Sequence, residues 1–167
     1  MASSYVYAQE RSTGPIINGY GEVFTVENPD FRVDTGMEYK VVFDIAESPE
    51  SHTEINRSID TAARFLNMQA QSGVPIEKMK VAIVIHGKAY KDILTDSAYK
   101  ERFDADNPNQ KLVASLLSSG VQFIICGQTA KARGISKNDM IVNVQMALSA
   151  MNALLKLQHK EQGFIKI

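Results

Sequence analysis

The sequence predicts an α/β domain, a mainly parallel five-stranded sheet with helices on both sides. Two observations carry that prediction. Residues 80–86 (KVAIVIH) and 121–126 (VQFIIC) are continuous apolar runs, the pattern of strands covered on both faces, as parallel strands are. Segments with helical spacing stand between such runs and are long enough to serve as crossovers, and this alternation places helices on both faces of one sheet.

The elements follow in order. Residues 1–14 are polar and without period and are read as a disordered tail or a signal-peptide remnant. Residues 15–38 form an N-terminal extension, with a short β-like run at 23–26 and turn signals at Asn28-Pro29 and Thr35-Gly36, read as a hairpin. The main domain spans 39–167. Its first core strand is 39–45 (YKVVFDI). Ile55, Ile59, Ala62, Ala63, Leu66 and Ala70 recur at three and four, which predicts a helix over 53–71, stopped by Gly73 and Pro75. After the strand at 80–86, one helix is expected over 90–103. A second runs from Asn107-Pro108, a cap and first-turn proline, to Gly120. The strand at 121–126 is followed by a weaker one at 141–146, a helix capped by Ser149 running to about 162, and a terminal strand at 164–167.

At 167 residues, 44% of them apolar, the chain is long enough to bury one core without disulfides or a structural metal. Eighteen Lys and Arg are scattered among nineteen acids, so no basic stripe exists for nucleic acid. No apolar run approaches the roughly 20 residues that span a bilayer, so a soluble chain is expected. Val6 and Ala8 have the small-residue spacing that precedes a secretory cleavage site. The chain is expected to be exported if residues 1–8 are such a remnant, and cytoplasmic otherwise.

Cysteine arithmetic narrows the chemistry. One cysteine, Cys126, excludes multi-cysteine zinc sites, CxxC redox pairs and iron–sulfur clusters. It leaves a structural core thiol, a reactive single thiol or an intermolecular bridge. His52, His86 and His159 fall on separate elements, so no histidine metal site is expected. Gly19-Tyr20-Gly21 lacks the third glycine and the helix of a dinucleotide fingerprint.

In open parallel sheets, ligands collect beyond the carboxyl ends of the strands. The two most buried strands end in His86-Gly87 and Cys126-Gly127, so neighbouring strands would bring an imidazole and a thiol to one crevice, with glycines that permit close approach. Gln128, Thr129 and Ala130 are read as opening a short helix whose free amides point back at Cys126, with Lys131 and Arg133 adding positive charge. The candidate site is thus Cys126, bordered by His86, Gly87, Lys88, Gly127, Gln128 and Thr129.

The segments 81–89 (VAIVIHGKA), 120–136 (GVQFIICGQTAKARGIS) and the ending LLKLQHKEQGFIKI resemble the DsrE/DsrF-like family over about 39–167. The resemblance implies a three-layer α/β/α sandwich that forms homo-oligomers, commonly trimers or hexamers. It also implies a role in sulfur oxidation or sulfur relay, with sulfane sulfur carried as a persulfide on the cysteine matching Cys126, without a cofactor, between sulfur donor and acceptor proteins. The other reading is a small-ligand-binding or assembly module in which Cys126 is packing. No general-acid and base pair points to an independent enzyme.

Overall fold

The computed structural model of the chain describes residues 10–160 and 163–166; the small-residue spacing at Val6 and Ala8 lies outside them. Two short strands, β1 (Arg11–Ser12) and β2 (Val23–Phe24), pair antiparallel. The pairing begins inside the stretch read from sequence as a tail, so the hairpin starts earlier than 15. The hairpin packs on the main domain through Asn67, whose side chain is fully buried. Its Oδ1 accepts from the Ile17 amide at 2.8 Å, and its Nδ2 donates to the carbonyls of Ile17 and Tyr20, both at 2.9 Å. Each of these groups left buried without a partner would cost about 1–3 kcal/mol, and Asp60 and Gln71 of the same helix add bonds to Gly21 and Gly14, so one helix fixes the course of the extension.

The main sheet contains β3 (Tyr39–Ile45), β4 (Met79–Ile85), β5 (Gln122–Cys126), β6 (Gln145–Ala147) and β7 (Gly163–Lys166). Their order is β6-β5-β4-β3-β7, and every pairing is parallel. Helices α1 (Arg57–Gln71), α3 (Gln110–Ser118) and α4 (Gly127–Ala132) pack on one face, burying Ile59, Leu66, Leu112, Leu116 and Ala130 against Phe43, Ile83, Ile85, Phe123 and Ile125. The opposite face carries α5 (Ala150–His159), whose Ala153 and Leu157 pack on Val42, Ala82 and Val84. Alternation along the strands thus feeds two apolar layers, and the three-layer α/β/α sandwich is the observed architecture.

Several boundaries differ from the sequence expectation, each for a local reason. α1 starts at Arg57 because Asn56 caps it, its side chain accepting from the Ser58 amide at 2.9 Å; Ile55 lies outside and is exposed. The single helix expected over 90–103 is two elements. A 3₁₀ helix covers Gly87–Ile93, Leu94 is extended and bridges to Met140, and α2 (Asp96–Phe103) restarts under a Thr95 cap. Asn107 caps the turn before α3 instead of its first residue, accepting from the Asn109 amide at 2.9 Å. The strand expected at 141–146 shifts to Gln145–Ala147: Ile141 is drawn into the core, and Asn143 takes a left-handed φ of 76°.

The loops at the carboxyl edge converge on Asp92, which is 1% exposed. Ser48 Oγ and Asn109 Nδ2 donate to its Oδ1 at 2.8 and 3.0 Å, and Asn56 Nδ2 donates to its Oδ2 at 2.7 Å. Asn107 adds bonds to the carbonyls of Asp92 and Leu94. One carboxylate therefore ties the loop after β3, the start of α1, the 3₁₀ segment and the approach to α3. Burial pushes its pKa from 3.8 up to about 6, against the downward pull of Asn56, Ser48 and the neighbouring Lys91.

Because the folded state holds this proton more tightly than the unfolded chain, the associated stability is complete below the unfolded value and is lost as pH rises through the folded one. Stability against urea is therefore expected to fall between roughly pH 4 and pH 6, by at most about 3 kcal/mol. Asp92→Asn flattens that limb while lowering stability throughout, since its amide NH₂ meets the NH₂ of Asn56 or Asn109. An unchanged limb in the variant assigns the titration to another group.

Candidate functional site

Right-handed crossovers fix where the site falls. From β3 to β6 the chain steps one strand at a time in a single direction, so the connecting helices share one face. The last connection reverses across the sheet to β7, so α5 lies on the other face. At the carboxyl ends of β5 and β6 the chain consequently departs toward opposite faces, which opens the crevice where such sheets bind ligands. Cys126 ends β5 there, opposite Ala147 of β6.

Cys126 stands at the N-cap position of α4, with α5 starting at Ala150 on the other side. A neutral thiol is a weak acceptor, and α4 has no side-chain cap bond. The ionised sulfur is a stronger one. Burial, the largest single influence, pushes the thiol pKa up. The Thr129 amide and hydroxyl and the Ala150 and Gln128 amides act on the sulfur as donors and together outweigh burial, so the net displacement is downward from 9.0. Ala150 is free for this role because the Ser149 side chain caps α5 by accepting from Asn152 instead. Cys126 as a whole is 6% exposed.

Gly127 is required by close approach: a Cβ there would collide with the Ala147 carbonyl oxygen. Gln128 Nε2 donates to the Leu148 carbonyl at 3.1 Å, a second tie between the two turns. Gly87 has a φ of 56°, and a Cβ would meet the Ala46 oxygen at 2.7 Å, the same oxygen that accepts from the Lys88 and Ala89 amides.

The expected meeting of strand ends is present: β4 pairs with β5, with Ile85 beside Ile125, so His86 and Cys126 follow on adjacent ends. The partners differ from those expected. His86 Nε2 lies 2.9 Å from Asp44 Oδ1, pairing the imidazole with a carboxylate on β3. Lys88 is exposed and pairs with Glu47 at 3.2 Å. Arg133 lies over the Tyr90 ring, 5.1 Å from its centroid. The groups that lower the thiol pKa are neutral donors, not the Lys131 and Arg133 charges. The amide of Ala150 was beyond sequence reasoning, since it arrives from the far side of the crevice 24 positions later in the chain.

The five strands of the main sheet are all parallel, and the one cysteine stands at the topological switch of this α/β/α sandwich. The chain belongs to the DsrE/DsrF-like family, whose model matches residues 40–167. Among solved structures, it is similar to MTH1491 from Methanobacterium thermoautotrophicum, described as a protein of unknown function, at 21% identity and a TM-score of 0.55. It is also similar to the ychN protein from E. coli, at 16% identity and a TM-score of 0.57. Each match covers 77% of this chain and 99% of the other. These likenesses establish the fold. No curated protein matches the chain. No helix among the described residues is long and apolar enough to cross a membrane.

Thr129→Val removes the hydroxyl but keeps the amide. It is expected to raise the apparent pKa of Cys126 and to slow alkylation at neutral pH several-fold, by roughly the worth of one hydrogen bond to a charged group. Iodoacetamide rates measured across pH test this; superimposable profiles would remove the hydroxyl from the account.

Proposed function

We propose that the protein carries sulfane sulfur as a persulfide on Cys126. The Cys126 thiolate attacks the terminal sulfur of a donor persulfide. A new sulfur–sulfur bond forms, the donor's bond breaks, and the donor leaves as a thiolate. Attack by an acceptor thiolate on the outer sulfur reverses these roles and regenerates Cys126. No net oxidation occurs and no cofactor is consumed.

One observation carries this reading: a lone thiol at the switch point has its pKa lowered by donors from the starts of two helices. The same amides suit a persulfide anion, and family membership supports the assignment. Gly127, Gln128 and Thr129 form the anion-stabilising turn, while His86, Gly87 and Lys88 border the donor's approach from the next strand. Incubation of the reduced protein with a sulfane-sulfur donor is expected to add one sulfur to the intact mass of wild type and none to Cys126→Ala. No gain in wild type would leave Cys126 as packing and return the protein to the binding-module reading, which its low exposure favours.

The assembly part of the proposal is a homo-oligomer, a trimer or hexamer, held through the outer face of α5. Leu148, Met151 and Leu155 recur at helical spacing and are 71%, 73% and 59% exposed. Covering such residues is favourable at about 25 cal/mol per Å². The face adjoins the Ala150 amide, so association would also wall the thiol crevice. Sedimentation is expected to show the oligomer in wild type and smaller species for Met151→Glu with Leu155→Glu. A monomeric wild type would sink this part alone.

A further inference from the structure

A second constellation lies on the carboxyl edge, apart from the thiol. A cavity of about 260 Å³ is walled by His52, Lys88, Tyr90, Lys91, Phe103 and Arg133. Lys91 is its anomaly, because its side chain is only 7% exposed and, among the described residues, no carboxylate lies within 4 Å of its ammonium. Buried charges normally have such a partner. Its Nζ donates to the Pro49 carbonyl and to His52 Nδ1, the latter at 3.3 Å. An ammonium has three N–H bonds and cannot accept, so one remains without a protein acceptor among the described residues.

Since Lys91 can only donate, His52 Nδ1 accepts, and the proton of the neutral ring sits on Nε2 as a further donor. Asp92, next in the chain, turns its oxygens to Ser48, Asn56 and Asn109 and acts on Lys91 through space only, without a direct contact to the ammonium. Glu50 is the one carboxylate among the lining residues, against three cations; Lys88 also has Glu47 beside it.

The walls are aromatic. Phe103 stacks on His52 at 4.4 Å between centroids, the Lys91 ammonium lies 5.9 Å from the Phe103 ring centre, and Arg133 lies over Tyr90. The volume falls just below the roughly 300 Å³ at which drug-sized cavities begin, which fits a small metabolite.

We propose that this cavity binds a small organic acid, its carboxylate or other oxyanion taking the free N–H of Lys91 and the Arg133 guanidinium while its body lies against Tyr90 and Phe103. The ligand completes the missing ion pair. Guanidinium and ammonium groups bind such heads through charge-assisted hydrogen bonds, and the aromatic walls select a flat or apolar body over a bare ion. The site does not depend on persulfide chemistry, and Cys126 contributes nothing to its lining.

The test is titration of the full-length, ¹⁵N-labelled protein with benzoate, benzamide and inorganic phosphate at fixed ionic strength. Benzoate is expected to saturate in the millimolar range or tighter, with shifts centred on His52, Lys88, Tyr90, Lys91 and Arg133. Benzamide, equal in shape but uncharged, is expected not to saturate. Lys91→Met and the exposed Arg133→Gln should each weaken benzoate about tenfold or more, while Lys111→Gln, an equal charge change outside the cavity, and Cys126→Ala leave it unchanged. Arg133→Gln keeps the test valid if Lys91→Met fails to fold. The proposal is overturned if benzoate does not saturate, if benzamide binds equally, if phosphate alone binds, or if Arg133→Gln binds as wild type.

Discussion

The handedness of the parallel crossover is the constraint on which the rest of this structure depends. A right-twisted strand feeding a helix returns to the sheet with one hand only, so direction across the sheet decides the face on which each helix lies. Three successive steps from β3 to β6 stack their helices on one face, and the long return to β7 sends α5 to the other. Two helix starts are thereby aimed at the same crevice from opposite sides. Short-range propensity would not produce that arrangement. It follows from strand order, and a thiol ending β5 inherits it.

At that point two opposing effects act on the sulfur. Removing it from water disfavours the charged form, while amides whose hydrogen bonds are unfilled in the first helical turn favour it. Neither full burial without donors nor donors in open water would give the same result, because water competes with the amides and a dry apolar site raises the pKa. The close passage of Gly127 under the Ala147 carbonyl brings the two turns together and keeps the sulfur inside both sets of donors. The glycine therefore acts on the chemistry through distance.

Much of this was legible in the sequence, and the limits have physical causes. The core strands were readable because 80–86 and 121–126 are nearly continuous apolar runs, the pattern of strands covered on both faces, and 39–45 is dense in apolar residues. Cys126 and His86 were identifiable as strand-end residues from the same pattern. Three things were not. Asn67 and Asp92 act through contacts far apart in sequence, and a polar residue within an amphipathic helix or turn looks like any solvated residue until its partners are known. The break at Leu94 depends on pairing with Met140, which overrides local helical spacing. Strand order, and with it the Ala150 amide, is a global property that no window of the sequence contains.

The carboxyl edge shows two solutions to holding negative charge, and they differ in what they can release. At Cys126 the donors are neutral amides and one hydroxyl, which stabilise an anion formed in place by loss of a proton. Such a site stays electrically neutral when the thiol is protonated, so charge can come and go with little cost to the fold. At Lys91 the donor is a buried ammonium that gives hydrogen bonds to the Pro49 carbonyl and His52 and has no carboxylate within 4 Å among the described residues. A cation in such a place favours an anion arriving from outside. The two arrangements therefore suit different chemistry: one makes and unmakes a nucleophile, and the other holds a ligand already ionised. Their common edge is set by the fold, because every βα turn of a parallel sheet opens on the same side, and there backbone amides and loop cations can reach a ligand without breaking a ladder hydrogen bond.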